Sequence, residues 1–252
     1  MSNTVTNFDE IAHSLNCAVL DPYMFGLIDF FPYIFCYLMG SIPFGLILTK
    51  IFVKQDIRSL GSGNIGATNV LRTGNKSLAL ATLLLDALKS GLSVLFIMYL
   101  YSIHLPEACV SEQIYHDMKN AYIGLTVGLF AILGHCFPIW LKFKGGKGVA
   151  TGLGALLVAA PYAGLAACLA WIATAKITKY SSLSALIAFL IAPIITLFIY
   201  GSAPAAICAM ITLLIWIRHK DNIKRLLKSE EPKIGQNKEK QKKEDSVEPV
   251  SK

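Results

Sequence analysis

The chain alternates long apolar runs with short polar segments. Apolar stretches cover about residues 25–53, 78–101, 121–141, 149–175, 183–200 and 203–217. A helix needs about 20 mostly apolar residues to cross a bilayer, so the first three runs are long enough to span. The fourth contains Pro161 between small residues, which allows two short helices, about 149–160 and 161–175. A single crossing there would place Lys176 and Lys179 opposite the other basic loops, against the inward bias of lysine and arginine. Two pieces restore the parity. The pattern predicts an all-α polytopic membrane protein of seven transmembrane helices, some short or re-entrant, with five spans plus a re-entrant pair as the alternative. The piece at 149–160 is the re-entrant candidate, because it is only about 18 Å long at 1.5 Å per residue.

The polar segments orient the bundle. Residues 102–119 carry Glu107, Glu112 and Asp117 with Lys119 as the only lysine or arginine, so this loop belongs outside and the basic loops inside. The N-terminus is then outside and the C-terminus cytoplasmic. Residues 1–24 form an N-terminal extension with no strong period. They lack the basic start of a signal peptide and are expected to stay on the mature chain. Residues 25–227 form the membrane domain. Residues 228–252 are rich in lysine and glutamate, contain Pro232 and Pro249, and read as a charged, disordered cytoplasmic tail.

Composition narrows the class. Only 15% of residues are charged and 54% are hydrophobic, where a soluble domain carries about a quarter charged. The net charge of +7 is read as basic loops and tail lying against membrane lipid, not as a nucleic-acid surface. No cysteine pair has CxxC spacing, so neither a disulfide framework nor a metal site is expected, and no cofactor is implied. Asp86 and Lys89, three apart inside a span, share a helix face and can pair within the bundle.

Four inward-facing segments carry chemistry. The densest is the crossing Lys142-Phe143-Lys144-Gly145-Gly146-Lys147-Gly148, followed by a helix expected to start near Val149. Glycines let backbone N–H groups approach a ligand, lysines add charge, and a helix N-terminus adds its dipole. All three favour an anion, most simply a phosphate. Gly148 after Lys147 excludes a Walker A loop. The crossing is preceded by Gly134-His135.

The second segment, Asp56 to Arg72, holds Gly61, Gly63 and Gly66 in GxGxxG spacing. It is not a dinucleotide site, because membrane spans rather than a βαβ unit flank it. It offers Ser62, Asn64, Thr68 and Asn69 as single hydrogen-bonding groups and Arg72 as a planar fork suited to phosphate. The third segment contains Ser181 and Ser182 at a helix start, and the fourth runs Arg218-His219-Lys220-Asp221-Asn222. No histidine has an aspartate five residues later, so the His-x4-Asp pattern of many lipid acyltransferases is absent.

In this order the segments resemble the acyl-phosphate-dependent glycerol-3-phosphate acyltransferases of bacteria, the PlsY family. The resemblance spans about residues 25–227 and rests most on Gly61-Ser62-Gly63-Asn64-Ile65-Gly66-Ala67-Thr68-Asn69 and Gly145-Gly146-Lys147-Gly148-Val149-Ala150-Thr151. It implies a monomeric enzyme of the bacterial inner membrane with a cytoplasm-facing site. The enzyme would transfer a fatty acyl group from acyl phosphate to the 1-hydroxyl of glycerol 3-phosphate, giving lysophosphatidic acid and phosphate. It further implies catalytic roles for Ser62, Arg72, Lys147 and His219. Substrate binding would fall to Gly63, Asn64, Thr68, Asn69, Gly145, Gly146, Gly148, Ser181, Ser182 and Asn222. An organophosphate transporter or lipid-binding membrane protein is the alternative, and would need polar access from both sides.

Overall fold

The computed structural model describes residues 27–61, 63–104 and 113–234. The N-terminal extension, Ser62, part of the outer loop and the tail beyond residue 234 lie outside the described residues. The helices in chain order are α1 (Leu27–Gly40), α2 (Phe44–Phe52), α3 (Ala67–Val70), α4 (Lys76–His104), α5 (Gln113–Cys136), α6 (Val149–Ala159), α7 (Pro161–Thr178), α8 (Ser181–Tyr200), α9 (Ser202–Arg218) and α10 (Lys220–Leu227). No strand occurs among the described residues.

Each apolar run is helical where described, and the two internal breaks have local causes. Pro43, with φ −90° and ψ 71°, separates α1 from α2 within the first run. Pro161 takes the first position of α7, where its missing N–H costs nothing, and Ala160 turns the chain with φ −142°. The predicted pair at 149–160 and 161–175 is therefore present as two helices. Four segments are long and apolar enough to cross a membrane: Phe30–Phe52, Lys76–Tyr101, Asn120–Leu141 and Ser181–Tyr200. Joined to α10 across a 64° bend, α9 gives a fifth. The 11 residues of α6 reach only about 17 Å.

The core runs along the bundle axis, from Val94 and Ile97 on α4 through Leu125 and Ile132 on α5 to Phe189, Ile211 and Ile215 on α8 and α9. Large apolar side chains such as Leu80, Leu95, Leu169 and Phe198 are exposed on its outside, as a lipid-facing surface requires. Small residues set the closest approach. Gly154 of α6 lies so tightly on Ala87 of α4 that any Cβ would overlap the Ala87 backbone. The starts of α4, α6 and α8 and the ends of α2, α5, α7 and α9 thereby gather at one end of the bundle.

Candidate active site

A cavity of about 790 Å³ opens at that end. One part is polar, with Asn64, Thr68, Arg72, Lys147, His219 and Asn222 among its lining. The other is apolar, with Leu83 of α4, Val149 and Leu153 of α6, and Trp171 and Ile172 of α7. The first turns of α6 and α8 both reach it, through Gly148, Val149 and Ala150 and through Ser181 and Ser182. The N–H groups of a first turn lack intrahelical acceptors, so two dipole-positive ends face one space.

The loop before α3 is held by Asn69. Its side-chain amide donates to the carbonyls of Ile57, Leu60 and Asn64 at 2.9, 3.0 and 2.8 Å. Asn69, expected among the substrate-binding residues, is 1% exposed and stands behind the cavity wall, where it fastens the loop. Gly63 likewise serves a turn, with φ +70° and its N–H on the Leu60 carbonyl at 2.9 Å. Gly61, at φ +52°, carries no Cβ where the Arg72 guanidinium packs. Arg72 keeps a buried Nη1 with no partner among the described residues, and Asn64 keeps a buried Oδ1 in the same condition. Ser62 lies outside the described residues.

In the basic crossing, Lys142 and Lys144 are exposed and only Lys147 faces the cavity. Gly145 and Gly146 do not line it. Their N–H groups go to the Cys136 and His135 carbonyls at 3.2 and 3.0 Å. Their carbonyls accept from Arg218 at 3.0 and 3.1 Å. Expected to offer N–H groups to substrate, they instead let His135 and Pro138 pack against bare backbone, since a Cβ on either would overlap those residues. Gly148, at φ +82°, caps α6 and does line the cavity.

Lys147 Nζ donates to Asn222 Oδ1 at 2.6 Å. Burial pushes the Lys147 ammonium down to about 8 from 10.5, with Glu231 opposing and Arg225, Arg72 and Arg218 adding to the fall. Asn222 Nδ2 donates to Glu231 at 2.6 Å, Ser182 Oγ donates to the same carboxylate oxygen at 2.7 Å, and Arg225 Nε reaches the other at 2.7 Å. Burial pushes the Glu231 carboxyl up, but hydrogen bonds from Asn222, Ser182 and Arg225 outweigh it and hold the group below 4.5. His219 donates from Nδ1 to the Ile215 carbonyl at 2.8 Å, which turns its other nitrogen away from the helix.

Glu231 was missed by sequence reasoning, which began a disordered tail at Lys228. Residues 228–234 instead fold back over the site. The Ile234 N–H donates to the Lys179 carbonyl at 2.8 Å, and Pro232, Lys233 and Ile234 line the cavity. Among the described residues no three His, Cys, Asp or Glu side chains gather as metal ligands.

A family model described as "Glycerol-3-phosphate acyltransferase" matches residues 30–229. The chain belongs to the glycerol-3-phosphate acyltransferase family. It is 50% identical over 199 residues to a protein of that name from Rhodospirillum rubrum, covering 79% of this chain and 88% of the relative. A protein of the same name from Agrobacterium fabrum is 50% identical over 204 residues, covering 79% and 89%. Crystal structures of PlsY (YgiH), an integral membrane glycerol 3-phosphate acyltransferase, are similar at 34% identity, covering 81% of this chain and 94% of that one. The glycerol 3-phosphate form gives a TM-score of 0.70 and the lysophosphatidic acid form 0.67. The fold is that of a multi-pass membrane protein of this family.

Proposed function

We propose that the protein is a glycerol-3-phosphate acyltransferase that takes its acyl group from acyl phosphate. The observation that carries this is the two-part cavity. Lys147, the unpartnered Arg72 nitrogen and two helix N-termini meet at one polar end, and Leu83, Leu153, Trp171 and Ile172 continue from it. Two phosphate-bearing substrates, one with a long chain, call for both parts.

The 1-hydroxyl oxygen attacks the carbonyl carbon of acyl phosphate. The bond from that carbon to the phosphate oxygen breaks, and phosphate leaves with the electron pair. Acyl phosphate is already activated, so no covalent enzyme intermediate is needed, and the hydroxyl proton goes to a substrate phosphate oxygen. The protein contributes proximity and fixed charge. Lys147 and Arg72 hold phosphate and disperse developing charge, and the first turn of α6 with Gly148 adds backbone donors. Asn222 orients Lys147. Ser62 orients the hydroxyl or the carbonyl, and His219 with Ser181, Asn64 and Thr68 completes the polar wall. Ser182 acts through Glu231.

The protein works as a monomer in the bacterial inner membrane, with its N-terminus outside and the cavity open to the cytoplasm. The segments 1–24 and 235–252 take no part in catalysis. Purified protein supplied with palmitoyl phosphate and labelled glycerol 3-phosphate should form lysophosphatidic acid and phosphate in equal amounts. Turnover with acyl-CoA or acyl-carrier protein but not with acyl phosphate would overturn the donor assignment. Acyl-enzyme trapped in a quench would overturn direct attack.

A further inference from the structure

Asp86, Lys89 and His135 make a second polar cluster at the inner wall of the cavity, where Asp86 and His135 border the space and Lys89 stands behind them. They are 2%, 5% and 4% exposed. Lys89 Nζ donates to Asp86 Oδ1 at 2.7 Å, to the Ile42 carbonyl at 2.8 Å and to His135 Nδ1 at 3.0 Å. An ammonium has three protons and no acceptor, so all three are used. Lys89 does not line the cavity and has nothing left to offer a substrate.

The cluster does fix something beyond itself. An ammonium at Lys89 can only donate, and at 3.0 Å it is nearer His135 Nδ1 than Asp86 Oδ1 is at 3.7 Å, so Nδ1 accepts and the ring's proton sits on Nε2. That edge of the ring rests against Gly146, where a Cβ would overlap it. The His135 carbonyl also takes the Gly146 N–H at 3.0 Å. The next residue is Lys147. A continuous path thus runs from the broken first span at Ile42, through Lys89 and His135, to the turn that carries the cavity's lysine.

We propose that Lys89 is a positioning residue for Lys147, acting through the His135 ring and the Gly145–Gly146 turn. The inference rests on Lys147 being a phosphate-binding cation. Arg218 grips the same two glycine carbonyls from the opposite side, so the turn is clamped between α9 and α5. Releasing one jaw lets Lys147 leave its half-buried seat while every group bonded around it stays in place.

The test is the pH dependence of kcat/KM in the wild type and in the double variant Asp86→Asn/Lys89→Met. The double variant removes both charges together, so neither is left buried alone. Five other groups face Lys147: Arg72 from the turn after α3, Arg218 and His219 from the end of α9, Arg225 of α10, and Glu231 after it. All five are unchanged in the variant. Wild-type kcat/KM should fall as pH rises through about 8, where Lys147 loses its proton. In the double variant the limb should move up toward the ordinary lysine range, with roughly a tenfold rise in KM for glycerol 3-phosphate. The ¹⁵N shifts of His135 should report a proton on Nε2 in the wild type and a tautomer mixture in the variant.

Lower activity at every pH with the limb in place would overturn the proposal and leave the cluster a structural one. If the double variant does not fold, His135→Asn carries the test. It keeps an oxygen near the Nδ1 position to accept from Lys89 and loses the ring edge that seats Gly146, so the same limb shift is expected and an unmoved limb is a refutation. A wild type without the limb, together with unchanged KM in Lys147→Ala, would overturn the role of Lys147 and this inference with it. A limb that is present but unmoved would overturn this inference alone.

Discussion

Two polar clusters, one buried around Lys89 and one half-buried around Lys147, use the same ingredients and end in opposite conditions. Lys89 has three protein acceptors within 3.0 Å. Lys147 has one among the described residues, Asn222, and its neighbour Arg72 keeps a buried nitrogen with none. A buried cation needs either a partner or a ligand. The saturated Lys89 therefore has no proton left for a ligand, and the undersaturated cluster has room for oxyanions. Charge count alone would not separate them; hydrogen-bond capacity does.

The comparison is broken most severely by Lys89→Met alone. It strands the Asp86 carboxylate inside the bundle and should cost about 3–5 kcal/mol, read as a large drop in the thermal unfolding midpoint in detergent. Asp86→Asn/Lys89→Met should recover most of that loss. Lys147→Ala and Arg72→Ala should behave the other way. Each should lower kcat/KM by about a hundredfold or more, roughly 2.7–4 kcal/mol of transition-state stabilisation, while the unfolding midpoint stays near the wild-type value. Near-wild-type turnover in either would remove that residue from the site.

Glu231→Gln sits between these extremes, because Glu231 holds Asn222, Ser182 and Arg225 in place. Losing the charged partner of Arg225 should cost about 1–3 kcal/mol of stability and raise KM. The sign of its pH dependence follows from a folded-state pKa held below 4.5. The contribution is fully present above the unfolded value and is lost as pH falls through the lower, folded one. Unfolding followed from pH 6 downward should show this loss in the wild type and not in the variant. The smallest effect belongs to the exposed pair Asp56–Arg58, at 2.6 Å with side chains 35% and 42% exposed. Arg58→Ala should change stability by less than about 1 kcal/mol.

Much of the bundle was legible because apolar run length and proline position are local signals. The division of 149–175 at Pro161 and the pairing of Asp86 with Lys89 both follow from spacing. So does the start of a helix at Val149, since glycine and lysine stop where the apolar residues begin. The site was legible as a set of segments but less so residue by residue. A glycine that admits a phosphate and one that admits a histidine ring look alike in sequence, so the packing of Gly145 and Gly146 against His135 was not legible there. The bonds of Asn69 were hidden for a similar reason, because an amide can serve a loop's own carbonyls as well as a ligand. Glu231 was hidden by composition: it stands among lysines and glutamates that read as solvated chain. Pro232 and the lone apolar Ile234 were the only local signs that the chain turns back there.

The place of Glu231 beyond Leu227, where the last helix ends, has a consequence for truncation. A chain cut back to Leu227 keeps every described helix and loses the carboxylate that accepts from Ser182, Asn222 and Arg225. Such a chain should pack as a bundle and hold its substrates poorly.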